Sequence, residues 1–323
     1  TTGVPVEHPR YLGAVRVLSF HNEVYPMVDV GRSLSDALAQ AVAAAEASVV
    51  RVEGRRHVPS SGVVWSADGV IVTAAHAIEK DDGIRVGLSD GRVVDAALAG
   101  RDPSTDVAVL RADTRGLKTP TWVPAEEVKV GQLVLALARP GRTVRARSGI
   151  IGALGEQWQT PRGGKIDRYI EPDVRPTWGF SGGPLVDLSG RVIGMNTLGL
   201  MRREVISLPQ ATVARVTETL LRHGRIRRGY LGIGAHPVRV PAGMQQAAGQ
   251  EAGLIVVSVE AGSPAERAGV LLGDVILGAG GTPVSQLHDL MSRLTTEAVG
   301  TKLRIRLIRG GKVEEIEVPL GER

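Results

Sequence analysis

From Ser48 to about Leu200 the chain repeats one pattern, a short apolar run followed by a turn signal. The runs SVVRVEG, SGVVWSADGVIVTAA, IRVGLSDGRVVDAALAGRD, DVAVLRAD, GQLVLALARPG and SGIIGALG succeed one another with no helical period between them. Asp68-Gly69 and Asp90-Gly91 fall between apolar runs, where a hairpin turn needs residues that tolerate positive φ. PLVDLSGRVIGMNTLG continues the pattern around Ser189-Gly190. Many short strands without intervening helices predict an all-β barrel or sandwich. Only 3% of residues are aromatic, so its cores must be built from Val, Leu, Ile and Ala.

Two other regions break the pattern. The first 30 or so residues follow no regular period, and DALAQAVAAAEA after Ser35 is helical in composition, with Ser35 placed as N-cap. Gln210 to Arg222 is an amphipathic helix with Pro209 at its start and Gly224 just past its end. A basic linker follows, and a second domain starts at about Tyr230. It holds the strands YLGIG, GLIVVSVE and GDVIL, a helix PAERA capped by Ser263, and a helix QLHDLMSRL capped by Ser285. Its closing hairpin, KLRIRLIR-GG-KVEEIEVPL, is basic on one arm and acidic on the other, so cross-strand pairs can form. The predicted division is an N-terminal segment 1–34, a first domain 35–224, a linker 225–229 and a second domain 230–323.

Composition narrows the chemistry. With no cysteine among 323 residues, a disulfide framework, a thiolate nucleophile and a cysteine-ligated zinc site are excluded. No run reaches the roughly 20 apolar residues of a membrane helix. The chain starts at Thr1 and shows no signal peptide, as expected where processing or trimming has removed one. Net charge is +5, but the arginines are scattered. The one cluster, RHGRIRRGY, lacks interleaved aromatics and reads as a linker rather than a nucleic-acid site.

The hexapeptide GFSGGP (Gly179 to Pro184) fits two serine contexts. In an α/β-hydrolase the nucleophile sits on a strand-to-helix turn and its Asp and His follow it in the chain. Here strand-turn-strand follows Ser181, and the later histidines, His223, His236 and His288, lie in the linker and second domain. The order His, Asp, Ser fits instead: VTAAH places His76 after a strand, and DPSTDVAVLR places Asp106 where a loop enters a strand. These motifs resemble the trypsin-like serine proteases, and within them the HtrA (Deg) quality-control proteases, from about Ser35 onward.

The resemblance implies a double six-stranded β-barrel followed by one PDZ domain, and an endopeptidase acting on unfolded or misfolded polypeptides. Ser181 would be the nucleophile, His76 the general base and then acid, and Asp106 the carboxylate that orients it. The N–H groups of Gly179 and Ser181 would form the oxyanion hole. Asp102 is the rival carboxylate, read as the start of a turn with Pro103. Asp113, at the far end of the next strand, is a weaker candidate, and His57 reads as a loop residue. No cofactor or metal is called for. Pro176, Thr177, Thr197, Leu198 and Leu200 would wall the substrate pocket. Glu204 near its base either points inward, admitting basic residues, or lies outward on a strand edge.

The stretches RGYLGI and AGSPAERAGVLLGDVIL resemble PDZ domains. Tyr230, Leu231, Gly232 and Ile233 would then hold a C-terminal carboxylate, with the peptide lying beside Leu290, Met291 and Leu294. GAGGTPV departs from the family at a turn, where an Asn is usual. The resemblance further implies a homotrimer and an extracytoplasmic setting. The alternative function is a peptide-binding pseudoprotease or chaperone. Phe180 stands where relatives carry Asn and digestive enzymes Asp, so its ring is expected to pack under the oxyanion loop by apolar burial.

Overall fold

The computed structural model describes residues 27–55, 58–175, 177–201, 204–294 and 298–322. The chain divides into two compact units, Thr1–Asp36 and Ala37–Arg323. Helix α1 (Met27–Ala45) starts well before Ser35, which lies in its interior rather than at its cap. Gly31 conceals these early turns, because a helix-interior glycine costs about 1 kcal/mol relative to alanine. Most of the predicted N-terminal segment lies outside the described residues. At the other end of α1, Ala41 and Ala45 pack on Val49, Leu137 and Val192.

The first six strands close on themselves. β1 (Val49–Glu53), β2 (Ser60–Val64), β3 (Val70–Ala74), β4 (Ile84–Gly87), β5 (Val93–Asp102) and β6 (Val107–Ala112) form a barrel in the order β1-β2-β3-β6-β5-β4. Asp68-Gly69 and Asp90-Gly91 turn its hairpins, with both glycines at positive φ. Val50, Val52, Ile71, Ile84, Val86 and Leu110 fill it. Each such side chain, once buried, contributes roughly 1.5–3 kcal/mol.

A second six-stranded sheet follows. Its members are β7 (Leu133–Ala138), β8 (Arg145–Gly155), β11 (Tyr169–Asp173), β12 (Pro184–Val186), β13 (Val192–Thr197) and β14 (Ile206–Pro209), in the order β11-β8-β7-β12-β13-β14. A small hairpin, β9 (Trp158–Gln159) and β10 (Lys165–Ile166), stands apart. Helix α2 (Gln210–His223) ends at Gly224 with φ 73°. Its Val213, Val216 and Leu220 join Val72 and Val109 of the first sheet and Met195 and Leu208 of the second in one cluster. The two sheets therefore share a core, and loops from both converge beside it.

The C-terminal region has β15 (Gly229–Tyr230), β16 (Ile233–Arg239), α3 (Ala242–Ala248), β17 (Ala252–Val259), α4 (Pro264–Arg267), β18 (Val275–Ala279), β19 (Thr282–Pro283), α5 (Leu287–Met291), β20 (Lys302–Arg309), β21 (Lys312–Pro319) and β22 (Gly321–Glu322). The sheet runs β16-β17-β18-β20-β21, so β16 is an edge strand. Ser263 caps α4 by accepting from the Glu266 N–H. At α5 the cap is Gln286 rather than Ser285, because Asp289 reaches back to the N–H groups of both Ser285 and Gln286. The sequence reading has no counterpart to α3, whose Ala- and Gln-rich stretch carries little pattern.

Candidate active site

Small residues on both sides place the histidine. Ala75 and Ala77 are buried on either side of His76 in a tight turn that follows β3, so the imidazole is held at the apex. Asp106 meets it from the loop before β6. Its backbone has φ 60°, a left-handed conformation that a non-glycine residue rarely adopts. In that conformation its carbonyl accepts from the Ala75 N–H at 3.0 Å. Oδ1 accepts from the His76 backbone N–H at 2.8 Å, and Oδ2 lies 2.6 Å from Nδ1. The Thr197 hydroxyl also donates to Oδ2. A carboxylate so placed favours the tautomer with the proton on Nδ1, which leaves Nε2 free to accept one.

Asp102 serves a different purpose. It is buried and accepts from the Ser104 N–H at 3.0 Å and from the Ser104 and Thr105 hydroxyls at 2.5 and 2.7 Å. It holds the turn and does not reach His76. Asp113 pairs with Arg115 at 2.6 Å in solvent. His57 and Pro176 lie outside the described residues.

The serine loop is tied down by β2. Ser61 N–H and the Ser60 hydroxyl both donate to the Ser181 carbonyl, at 3.1 and 2.5 Å. The Ser61 hydroxyl donates to the Gly179 carbonyl at 2.7 Å and accepts from the Arg139 N–H at 2.8 Å. Gly182 has φ 82°, and a Cβ there would lie 2.1 Å from the Ser61 carbonyl oxygen. With these carbonyls engaged, no acceptor among the described residues takes the N–H of Gly179 or Ser181. Ser181 Oγ accepts from the Leu198 N–H at 3.3 Å and shares one cleft with His76.

Beneath the serine lies a cavity of only about 10 Å³, lined by Val174, Thr177, Phe180, Thr197, Leu198 and Val205 among others. Phe180 is 8% exposed and packs in the second core with Val174, Leu185 and Val205. The Arg147 guanidinium carbon sits 5.9 Å from the ring centroid, and its Nε donates to the Thr177 hydroxyl at 2.8 Å. The ring is thus buried in that core and lines the small cavity. Leu200 packs elsewhere, against the cluster shared by α2 and the two sheets. Glu204 is exposed and outside this cavity, while its neighbour Val205 lines it.

Some site residues have no motif to announce them. Gly199 is one: a Cβ there would meet Asp106 Oδ2 and His76 Nδ1, each at 2.6 Å. Ser60, Ser61 and Arg139 are others, since their roles arise only when β2 and the loop after β7 meet the serine. The preference for Gly or Ser at these close approaches is the one available signal, and alone it is weak.

A second groove of about 260 Å³ lies in the C-terminal region. Tyr230 to Ile233 form one wall, and Leu290, Met291 and Leu294 face them. Gly232 has φ 82°, and the carbonyls of Leu231 and Gly232 accept from the Ala265 and Glu260 N–H groups at 2.9 and 2.8 Å. Arg228, at the groove's end, donates to the Gly163 carbonyl at 2.9 Å and to the Ser104 hydroxyl.

The family profile for a trypsin-like peptidase domain matches residues 60–195, and that for a PDZ domain matches residues 229–320. A probable periplasmic serine endoprotease, DegP-like, of Rhizobium meliloti strain 1021 is 34% identical over 282 residues, 84% of this chain and 55% of the relative. Its counterpart in Brucella suis biovar 1 is 36% identical over 270 residues, 80% of this chain and 52% of the relative. The chain spans about half the length of the curated relatives it matches. Among solved structures, the serine endoprotease from Yersinia pestis is 30% identical with a TM-score of 0.67, covering 88% of this chain and 98% of that one. The HtrA-type protease AlgW with a decapeptide is 27% identical, again with TM-score 0.67 and the same coverage.

Proposed function

The chain belongs to the HtrA-type serine proteases, and from that premise we propose that it is an endopeptidase cleaving unfolded or partly folded polypeptides. His76 Nε2 takes the proton of Ser181 Oγ as the oxygen attacks the scissile carbonyl. Asp106 holds the imidazole in the required tautomer and stabilises the imidazolium that forms. The developing oxyanion accepts from the Gly179 and Ser181 N–H groups, and His76 then gives its proton to the leaving amine. Water attacks the acyl-enzyme by the same route in reverse. The observation that carries this reading is the Asp106 carboxylate with both oxygens on His76, which lines the same cleft as Ser181.

The cavity of about 10 Å³ has room for about one water molecule. It therefore selects small aliphatic residues before the scissile bond. The C-terminal groove binds polypeptide C-termini: the peptide adds beside edge strand β16, with its carboxylate at the Gly232 loop. Assembly is as trimers outside the cytoplasm, in keeping with relatives named periplasmic. No helix among the described residues is long and apolar enough to cross a membrane.

A fluorophosphonate probe together with casein digestion tests the proposal, with light scattering for the assembly. The wild type should label and digest, and Ser181→Ala should do neither. A wild type that binds casein but never labels would make the chain a peptide-binding pseudoprotease.

A further inference from the structure

The cleft beside Ser181 is far larger than the cavity beneath it, about 350 Å³. The two share Thr177, Ser181 and Leu198, but the cleft has further walls in Arg55, Val58, Pro59 and Trp178. These come from the segment that leads into β2 and from the residue just before the oxyanion glycine. His76 also lines this cleft, and it must protonate the leaving amine. The residue before the scissile bond enters the small cavity, so the chain after the bond has to run through the larger cleft.

The walls are chemically particular. Trp178 is 77% exposed, the most exposed large apolar side chain among the described residues. An indole left in water, in a cleft also lined by Val58, Pro59 and Ser181, has an apolar surface that a bound side chain would cover. Arg55 is fixed to the same wall by Nη2, which donates to the His76 carbonyl at 2.6 Å. Its Nε is buried and has no hydrogen-bond partner among the described residues.

We propose that Val58, Pro59 and Trp178 form a leaving-group subsite for a bulky apolar side chain, aromatic or long aliphatic, on the residue directly after the scissile bond. The inference rests on the serine-protease reading above and adds a second selection to it. A small residue fits before the bond and a large apolar one after it. Such junctions lie in the hydrophobic cores of folded proteins and become accessible when those cores open.

Acyl transfer tests the subsite directly. An ester with alanine before the scissile bond acylates Ser181, and the acyl-enzyme partitions between water and an added amino-acid amide. That amide must occupy the leaving-group side to attack. Phenylalanine and leucine amides should be captured about ten- to a hundredfold better than glycine amide, the scale on which apolar pockets discriminate. The ratio should fall close to one in Trp178→Ala and persist in Trp178→Phe. Because it is measured within each variant, it is independent of overall activity. Equal capture of the amides by wild type, or an unchanged ratio in Trp178→Ala, overturns the subsite alone. If fluorophosphonate labelling and ester turnover are both absent, the protease reading falls and the subsite with it.

Discussion

Asp106 spends a left-handed backbone conformation on aiming one carboxylate oxygen at each N–H of His76. Asp106→Asn should therefore lower kcat by about 10⁴, because an amide presents a donor to Nδ1 and favours the wrong tautomer. Asp102→Asn should cost about 1–3 kcal/mol of stability by loosening a buried turn, while fluorophosphonate labelling persists. The reverse pattern in kinetics and melting would exchange the two assignments. Phe180→Ala enlarges the small cavity its ring lines and should cost about 3–5 kcal/mol. Cleavage profiling should then show reduced turnover after alanine and new cleavage after leucine or methionine. An unchanged profile would remove the ring from the specificity account. The order of His76, Asp106 and Ser181 was legible because each sits in its own local motif. Gly199 was not, since what it avoids touching is distant in sequence. At Glu204 the outward of the two readings holds: it is exposed in the stretch just before β14, and its neighbour Val205 lines the cavity.

Among the elements, α2 shows how a helix end is fixed to the sheets. Asp167, just after β10, accepts from the Thr212 hydroxyl at 2.8 Å and from Arg215 at 2.9 Å. Burial opposes its charge, but those hydrogen bonds outweigh burial and hold its pKa below the usual carboxylate value. A carboxyl group depressed by folding adds stability that is fully present above its unfolded pKa, about 3.9, and lost as pH falls through the folded value. Asp167→Asn should lower stability by about 1–2 kcal/mol at pH 7. Melting curves should show that gap close as pH falls below about 4. A gap that stays constant into acid would mean the ionised carboxylate contributes nothing. The strands and their hairpin turns could be read from alternation and Gly placement. The start of α1 and the whole of α3 could not, because Gly31 and a short Ala-rich segment leave little periodic signal.

For the molecule as a whole, the active site depends on a core shared by two sheets, whereas the C-terminal groove has a core of its own. Deleting residues from Tyr230 onward should leave a protease region that folds and still labels with fluorophosphonate. Loss of labelling would make the C-terminal region part of the catalytic unit. Peptides with a free apolar C-terminus should bind the intact chain more tightly than their amidated copies, and equal binding would remove the carboxylate loop at Gly232. The arrangement of two barrel-like sheets and a PDZ region was legible from strand pattern together with three catalytic motifs. The narrow cavity and the wider cleft beside Ser181 were not, since they form where distant loops meet. The central claim is that Ser181 and His76 act as one catalytic unit. It is tested most directly by kcat/KM for a peptide substrate in Ser181→Ala, His76→Ala and the double variant. Each single change should abolish nearly all turnover, and the double should lose no more than either. Losses that multiply in the double variant, or a single variant that keeps substantial turnover, would contradict the account.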